Sequence, residues 1–402
     1  MLTNTGKLKQ QALSLLQNAC CSYGILASPD EQDNYRRLWA RDSMIAGIAG
    51  LMADDEKIIN GFKNAIQTLA EYQHPFGMIP SNVLPAKSPE VSYGGLAGRV
   101  DATTWFVVGT CLYLSKTNNE NFQRRLQPNL MQALEILNRW EFNAKGLLYT
   151  PLSGNWADEY PVEGHTLYDN CLRLWGLELY AKVFADKKRS EQAKHIRECI
   201  AINFWPHKNL SDHPAVYHRR SFKEAVGNQP RYFACSIGPK GYNYRFDAAG
   251  HALALLLELA DEQQKSMIEK YIGSVFEAIG AELLPAFWPV IEKDDPEWLA
   301  LKQNYSFDFK NKPHNFHNGG IWPVWMGLFA LGMSQTGSTA ITEKMLEAWM
   351  EIEDPESITF AEYIASDSLK MGGKLRLSYS ASGLLFLLSA IEQDQPLRQL
   401  VL

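Results

Sequence analysis

YRFDAAGHALALLLELADEQQKSMIEKYIGSVFEAIG, residues 244–280, holds two helix-like segments back to back, over 244–260 and 262–280. The first is apolar along most of its length; the second places charges between its apolar positions at helical spacing. The longest apolar run of the chain, Ala252 to Leu259, lies in the first and is far too short to span a membrane. Working outward, the same periodicity predicts helices near 5–21, 41–52, 55–73, 101–116, 121–140, 166–184, 187–202, 319–334, 338–352 and 379–394. About twelve helices without βαβ alternation suit six helical hairpins closed into an (α/α)6 toroid, an all-α fold with the more apolar helix of each pair inside. Asp54 and Asp101 stand where N-caps belong. Strand signals are short, as in GLLYT (146–150) and KLRLSY (374–379). The stretches 74–100, 203–243 and 282–318 read as long loops, the kind that carry function. No Gly/Ser linker divides the chain, so one domain over 1–402 is expected.

Composition narrows the function classes. Of 402 residues, 46% are hydrophobic, enough for a sizeable core, and the net charge of -6 is spread out. The basic doublets Arg36-Arg37, Arg124-Arg125 and Arg219-Arg220 are too short for a nucleic-acid footprint. MLTNTGKLKQQALSLL reads as an amphipathic helix without a signal core. The six cysteines, Cys20, Cys21, Cys111, Cys171, Cys199 and Cys235, form no C-x-x-C pair, so neither zinc nor a disulfide framework is indicated, and a cytoplasmic setting fits. No Gly-rich phosphate loop or metal cluster stands out, so no cofactor is implied. Surface aromatics leave room for a homo-oligomer.

Chemistry concentrates at six loop-to-helix junctions: YRRLWARDS (35–43), AGRVDATTW (97–105), SGNWADEYPVEGH (153–165), YNYRFDAAGH (242–251), HNFHNGGIWP (314–323) and FAEYIASDS (360–368). Five of the six pair an acid with an aromatic. If successive hairpins close a ring, these junctions meet in one pocket of carboxylates with aromatic walls, which suits a small polyhydroxylated carbohydrate. Glycoside cleavage needs one carboxyl protonated and another ionised. Asp158 sits among Trp156, Tyr160 and Pro161, an apolar setting that would keep it protonated. Glu362 lies between Phe360 and Tyr363.

WARDS, GRVD-x-x-x-W, HNGGIWP, FAEY and RLSYSASGLL resemble, in the same order, the motifs of the alkaline/neutral invertases, glycoside hydrolase family 100. The similarity runs from about Trp39 to Leu385, and the HNGG-x-WP block is its most specific part. That family stands in a wider inverting (α/α)6 group with trehalases and the family 63 α-glucosidases, whose acid occupies a setting that SGNWAD (153–158) resembles. The resemblance implies Asp158 as proton donor and Glu362 as base. It implies Arg41, Asp42 and Asp101 as ligands of the sugar being cleaved, and His317, Asn318 and Trp322 as a substrate-contacting loop. Trp39, Arg99, Trp105, Trp156, His165, Arg245 and Tyr379 complete the expected sugar-binding set. The chain departs from the family around the acid, where Glu163 stands in place of a His and the Asp is displaced by about one residue. Asp158 and Glu159 thus both remain candidates for the acid. WPEYYD has become FAEYIASD. These departures bear on the identity of the sugar more than on the reaction type.

Other readings of the same residues exist. Arg41-Asp42 could be an ordinary ion pair at a helix start, and Asp101 a plain N-cap. His314 and His317 are spaced like a metal pair, but no third ligand is evident. Gly319-Gly320 could be only a tight turn. An α-glucosidase or amylo-α-1,6-glucosidase rivals an invertase. A sugar epimerase using His165, His251, His314 or His317 is a second class, and a silent carbohydrate-binding protein a third.

Overall fold

Two kinds of helix alternate along this chain. The computed structural model describes residues 5–31, 33–228, 230–334 and 340–392. Within them α1 covers Thr5–Ala19, α2 Ala40–Ala53, α3 Glu56–Glu71, α4 Val100–Thr117, α5 Glu120–Arg139, α6 Leu167–Val183 and α7 Lys187–Phe204. Then follow α8 (Arg219–Gly227), α9 (Ala248–Leu256), α10 (Glu262–Ile279), α11 (Trp298–Gln303), α12 (Pro323–Ser334), α13 (Ala340–Ile352) and α14 (Ser378–Ile391). The apolar helices α2, α4, α6, α9, α12 and α14 are buried nearly all round. Each touches the next, and α14 returns to α2, so the six close an inner ring. The amphipathic α1, α3, α5, α7, α10 and α13 lie outside, each burying one stripe. This is the (α/α)6 toroid.

How the helices start separates the two rings. Outer helices are capped by their own side chains: Asp55 on α3, Asn119 on α5, Asp186 on α7 and Asp261 on α10. Inner helices have no side-chain cap. Instead the first N–H of each donates to a carbonyl of the loop that leads into the next inner helix. Ala40 reaches Ser81 (2.9 Å), Val100 Gly154 (2.9 Å), Leu167 Cys235 (2.8 Å) and Ala248 Ala286 (3.0 Å). Ser378 reaches Ala27 (2.9 Å), ahead of α2, and completes the circle. The sixth helix, α12, starts with Pro323, which has no N–H to satisfy; there Ile321 N donates to Ile364 O at 2.8 Å.

The helix expectations hold, with corrections at the edges. Asp54 caps nothing: it ends α2 in the left-handed region, and its neighbour Asp55 caps α3 by accepting from the Ile58 N–H. Asp101 is not an N-cap either, because Arg99 holds that position and Asp101 lies in the first turn of α4. GLLYT contributes only an isolated bridge at Thr150, and KLRLSY is a turn running into α14. The loops 203–243 and 282–318 carry two short helices, α8 and α11, that periodicity did not mark. Residues 338–339 and 393–394 of the expected helices, and residues 1–4 of the N-terminal one, lie outside the described residues.

Helices α12 and α14 meet through glycines: a Cβ at Gly327 would fall on the Gly383 carbonyl, and one at Gly383 on the Pro323 carbonyl. Backbone cannot yield there as a flexible side chain would. Gly327→Ala is therefore expected to cost about 2–3 kcal/mol through overpacking, read as a lower urea midpoint with an unchanged m-value.

Candidate active site

Four inner helices begin with a buried acid: Asp42 on α2, Asp101 on α4, Asp169 on α6 and Asp247 at the start of α9. A neighbouring carbonyl already satisfies the first N–H of these helices, and Asp101 and Asp169 turn their carboxylates to other side chains. Burial raises Asp42 to about 6, against the pull of Arg41, and raises Asp169 and Asp247 to about 7.

Asp169 organises the segment that carries Asp158. Its Oδ2 accepts from Thr150 Oγ1 (2.9 Å), Asn155 Nδ2 (2.9 Å) and Thr166 Oγ1 (2.7 Å). Asn155 Oδ1 in turn accepts from the Ala157 N–H at 3.1 Å. From the other side Asn304 Nδ2 donates to the carbonyls of Asp158 (3.3 Å) and Tyr160 (3.2 Å), and Asn311 Nδ2 to that of Glu159 (2.7 Å). Within this frame the two adjacent acids face different ways. Asp158 Oδ2 pairs with Arg99, whose other Nη donates to the Ser153 carbonyl. The pair is open to solvent, with side-chain exposures of 15% for Arg99 and 30% for Asp158. Glu159 instead turns towards the 304–311 loop, where its Oε1 accepts from the Ser306 N–H at 3.3 Å and its buried Oε2 has no partner. The apolar surroundings expected of Asp158 are thus corrected, since a guanidinium contacts it directly. Burial, followed by repulsion from Asp158, raises the neighbouring Glu159.

Glu362 follows Phe360, which is in the left-handed region, and precedes a two-residue strand, Tyr363–Ile364, paired with Met371–Gly372. Its carboxylate is buried. Tyr35 donates to Oε1 at 2.5 Å, and the Lys374 N–H to Oε2 at 3.3 Å. Gly373 has a positive φ of 74°, and a Cβ there would fall on Glu362 Oε2, so only glycine fits beside the carboxylate. Burial raises the Glu362 pKa, while the Tyr35 bond and the Lys310 and Lys374 charges lower it. Burial also raises Tyr35, reinforced by Glu362 and then by Asp42 and Asp158. Tyr35 therefore keeps its proton and acts as donor, and its hydroxyl lies in the shared field of three carboxylates from three separate junctions.

Arg41 and Asp101 form a second pair, Nη1 to Oδ2 at 2.7 Å, with Tyr168 OH also donating to Asp101 at 3.3 Å. The Arg41 guanidinium lies 5.7 Å from the centre of the Tyr379 ring. Beneath these groups is an aromatic floor. Trp156 touches Phe287, His317, Trp322 and Trp325, and Trp322 stacks on His317 and Tyr363. Burial, helped by Arg41, Arg99 and Lys310, pushes His317 well below its usual value, so its ring is neutral. Among the described residues, Arg41 Nε, Tyr379 OH, His317 Nδ1 and Trp156 Nε1 are buried without a protein partner. Buried polar atoms are rarely left so, and their clustering suits a hydroxyl-rich ligand.

Several of the expected sugar contacts are engaged by the protein itself. Trp105 is fully buried, its indole N–H donating to Tyr168 OH at 2.8 Å. Asn318, also fully buried, accepts from the Ile291 N–H (2.7 Å) and donates to the Ile291 carbonyl (2.9 Å), acting as a main-chain clamp. Arg245 holds the 289–297 loop through the Pro289 and Val290 carbonyls and the Asp295 and Glu297 carboxylates. His165 Nδ1 bonds the Leu148 carbonyl at 2.9 Å, with the ring edge-on to Tyr149 and Tyr217. Trp39, half-buried, donates to the Asn34 carbonyl at 3.0 Å and ties down the segment next to Tyr35. Conversely, Tyr35, Asp169, Asn304 and Lys310 belong to the site but were not singled out from sequence. Tyr35 opened a quoted junction, and its pairing with Glu362 across 327 positions has no local signal. A separate apolar pocket of about 530 Å³ opens on the rim behind Arg99, between Met78, Gly98, Val100, Trp140 and Tyr149, and holds neither carboxylate. Among the described residues no group of three or more His, Cys, Asp or Glu is placed to hold a metal, and no helix is long and apolar enough to cross a membrane.

The chain is similar in sequence and in fold to known glycoside hydrolases. The family model for alkaline and neutral invertase matches residues 216–392, and that for amylo-alpha-1,6-glucosidase matches residues 32–150. Alkaline/neutral invertase C, mitochondrial, of Arabidopsis thaliana is 22% identical over 97% of this chain and 68% of its own length. Probable alkaline/neutral invertase D of the same plant is 28% identical over 82% and 72%. In fold, the chain is similar to a GH63 mannosylglycerate hydrolase from Thermus thermophilus, with a TM-score of 0.67 and 15% identity over 94% of this chain and 99% of that one. A bacterial glucoamylase complexed with acarbose gives a TM-score of 0.61 at 14% identity, over 99% and 58%.

The clamp at Asn318 is separable from any sugar contact. Asn318→Ala leaves the buried Ile291 N–H and carbonyl unpaired and is expected to cost about 2–4 kcal/mol. Thermal unfolding should show the loss.

Proposed function

We propose that this invertase-like glycoside hydrolase cleaves a small sucrose-like or α-glucosidic substrate with inversion, using Asp158 as general acid and Glu362 as general base. The observation that carries the reading is the Tyr35 hydroxyl, which bonds Glu362 and feels Asp42 and Asp158. Its interactions link two acids that lie 204 positions apart in sequence. Asp158 gives its proton to the leaving oxygen. Glu362 takes one from water, which attacks the anomeric carbon from the opposite face. Glu362 then loses its proton to solvent, Asp158 regains one, and the net change is addition of water across the bond. Asp158 is preferred to Glu159 because the Glu159 carboxylate is turned into the 304–311 loop.

The Arg41–Asp101 pair and Asp42 would take sugar hydroxyls, with Trp322 and Tyr379 as apolar walls; Trp156 lies beneath as support. The whole chain, 1–402, would act as one catalytic domain. An amylo-α-1,6-glucosidase activity is the second reading, favoured by the family match over residues 32–150. Epimerisation is the weaker reading because three of the four candidate histidines are committed elsewhere, which leaves His317 without the second histidine an acid–base pair needs. His251 bonds the Asp247 carbonyl and the Phe233 N–H, His165 the Leu148 carbonyl, and His314 the Ser366 hydroxyl.

Two measurements test the assignment. Proton NMR during hydrolysis of an α-linked substrate should show the β-anomer first, and Asp158→Asn and Glu362→Gln should each lower kcat by about 10²–10⁴-fold with folding intact. Initial formation of the α-anomer, or turnover surviving both changes, would overturn it.

Tyr35 supplies a sharper test. Glu362 must be ionised to act, so activity falls as pH drops through its pKa. Burial raises that pKa, and the Tyr35 bond, Lys310 and Lys374 lower it. Tyr35→Phe removes the hydrogen bond to the ionised form, so the acidic limb of the kcat profile should move up by about 1 pH unit. KM should change little.

A further inference from the structure

We propose that the apolar pocket behind Arg99 seats the aglycone, so that the leaving half of the substrate is a neutral arylalkyl or branched alkyl group on a short linker. The inference rests on Asp158 being the acid, since the leaving oxygen must then lie beside Asp158 and its partner Arg99.

The pocket is built at the end of the toroid that carries the acids. Met78 follows outer helix α3, Trp140 and Phe142 follow α5, Val100 opens inner helix α4, and Tyr149 and Pro151 lie in the loop that leads to α6. Arg99 joins the pocket to the catalytic side. Its chain neighbours Gly98 and Val100 line the pocket, while its side chain reaches the Ser153 carbonyl and the Asp158 carboxylate. The Val100 N–H donates to the Gly154 carbonyl at 2.9 Å, which fixes the turn between Pro151 and Asp158 against the same wall. Among the described residues nine large hydrophobic side chains are exposed. Four of them, Phe76, Leu96, Phe142 and Leu152, stand at or within two residues of a lining position. Three more, Leu299, Tyr305 and Phe307, belong to the segment that Asn304 ties to the Asp158 and Tyr160 carbonyls. Exposed apolar side chains gathered in this way mark a binding site, and here they gather on the side of the acid.

The lining selects the ligand. None of its seven residues carries a charge or an amide, and hydrogen-bonding side-chain groups are confined to the Tyr149 hydroxyl and the Trp140 indole. A sugar or an acid placed there would lose water without gaining partners. An apolar group gains from burial, and Trp140, Phe142 and Tyr149 offer rings to an aromatic one. The volume of about 530 Å³ lies within the range of small-molecule sites, whereas a protein partner spreads over an extended face. Arg99 stands between the pocket and Asp158, so the apolar group has to reach past it. On cleavage Asp158 protonates the leaving oxygen, and the aglycone departs as a neutral alcohol.

The test compares the α-glucosides of benzyl alcohol and phenylpropanol with that of triethylene glycol, a polar chain of similar reach. The phenylpropyl glucoside should have kcat/KM about thirtyfold above the triethylene glycol one, with the shorter benzyl glucoside between. Phe142 is exposed, so Phe142→Ala should spare the fold and narrow the gap to about tenfold. A Cβ at Gly98 would meet nothing nearer than the Tyr93 carbonyl, at 3.6 Å, so a side chain has room there. Gly98→Leu, by filling the pocket, should bring the two substrates to within about threefold of each other. Equal kcat/KM for the apolar and polar glucosides, or an advantage that survives Gly98→Leu, would overturn this inference while leaving the hydrolase reading intact. So would light scattering that shows a dimer broken by Phe142→Ala, since the pocket would then belong to a second copy. If no glycoside is turned over, the hydrolase reading fails. Calorimetry with phenylpropanol then decides the binding claim alone: affinity lost in Gly98→Leu supports it, and affinity kept in that variant, or absent from the unaltered protein, overturns it.

Discussion

The main-chain bond from the start of each inner helix to the loop of the next hairpin is the constraint on which this structure depends. An inner helix in a toroid is buried on all sides, so its leading N–H groups cannot be left to water. Outer helices solve the problem locally with Asp or Asn caps. Inner helices solve it through their neighbours, at Ser81, Gly154, Cys235, Ala286 and Ala27, with Pro323 removing the remaining donor. The ring of helices and the ring of loops are thereby locked in register. Asp101 and Asp169, relieved of capping, are left to other work.

That work divides by partner. Asp169 is enclosed and directs three side-chain donors at the turn before Asp158. Asp101 neutralises Arg41, and Asp42 lies beside the same guanidinium. Asp158, partly open to solvent, and Glu362, buried, keep partners of unlike character, a guanidinium for one and a phenol for the other. A phenol hydrogen bond orients a carboxylate and favours its ionised form without cancelling its charge. A guanidinium does cancel it. The neutral His317 and the indoles around it form a floor that offers rings and a few unpaired polar atoms without adding charge.

Much of this was legible in the sequence because helical periodicity and turn chemistry are local. The apolar run at 252–259 and the amphipathic segment after it gave an inner and an outer helix, and the pattern repeats around the ring. The six junctions were legible because acids and aromatics crowd there. What escaped were relations between distant segments. Tyr35 and Glu362 are joined by folding alone, as are Asn304 and the Asp158 turn. Trp105 and Asn318 matched a motif, yet the motif does not distinguish a residue that touches ligand from one that holds the loop that does. Asp101 was ambiguous for a similar reason: an acid near a helix start reads as a cap unless one knows that another chain segment already fills that role.

Carbonyl and amide groups are present at every position whatever the side chain, so the joints between hairpins are blind to the residues they join. Side chains lining the opening can therefore be exchanged with little penalty to the architecture beneath them. Chains that agree at 14–15% of positions can then share this outline while their walls diverge. A scaffold fastened through its backbone leaves selection free to retune what it recognises.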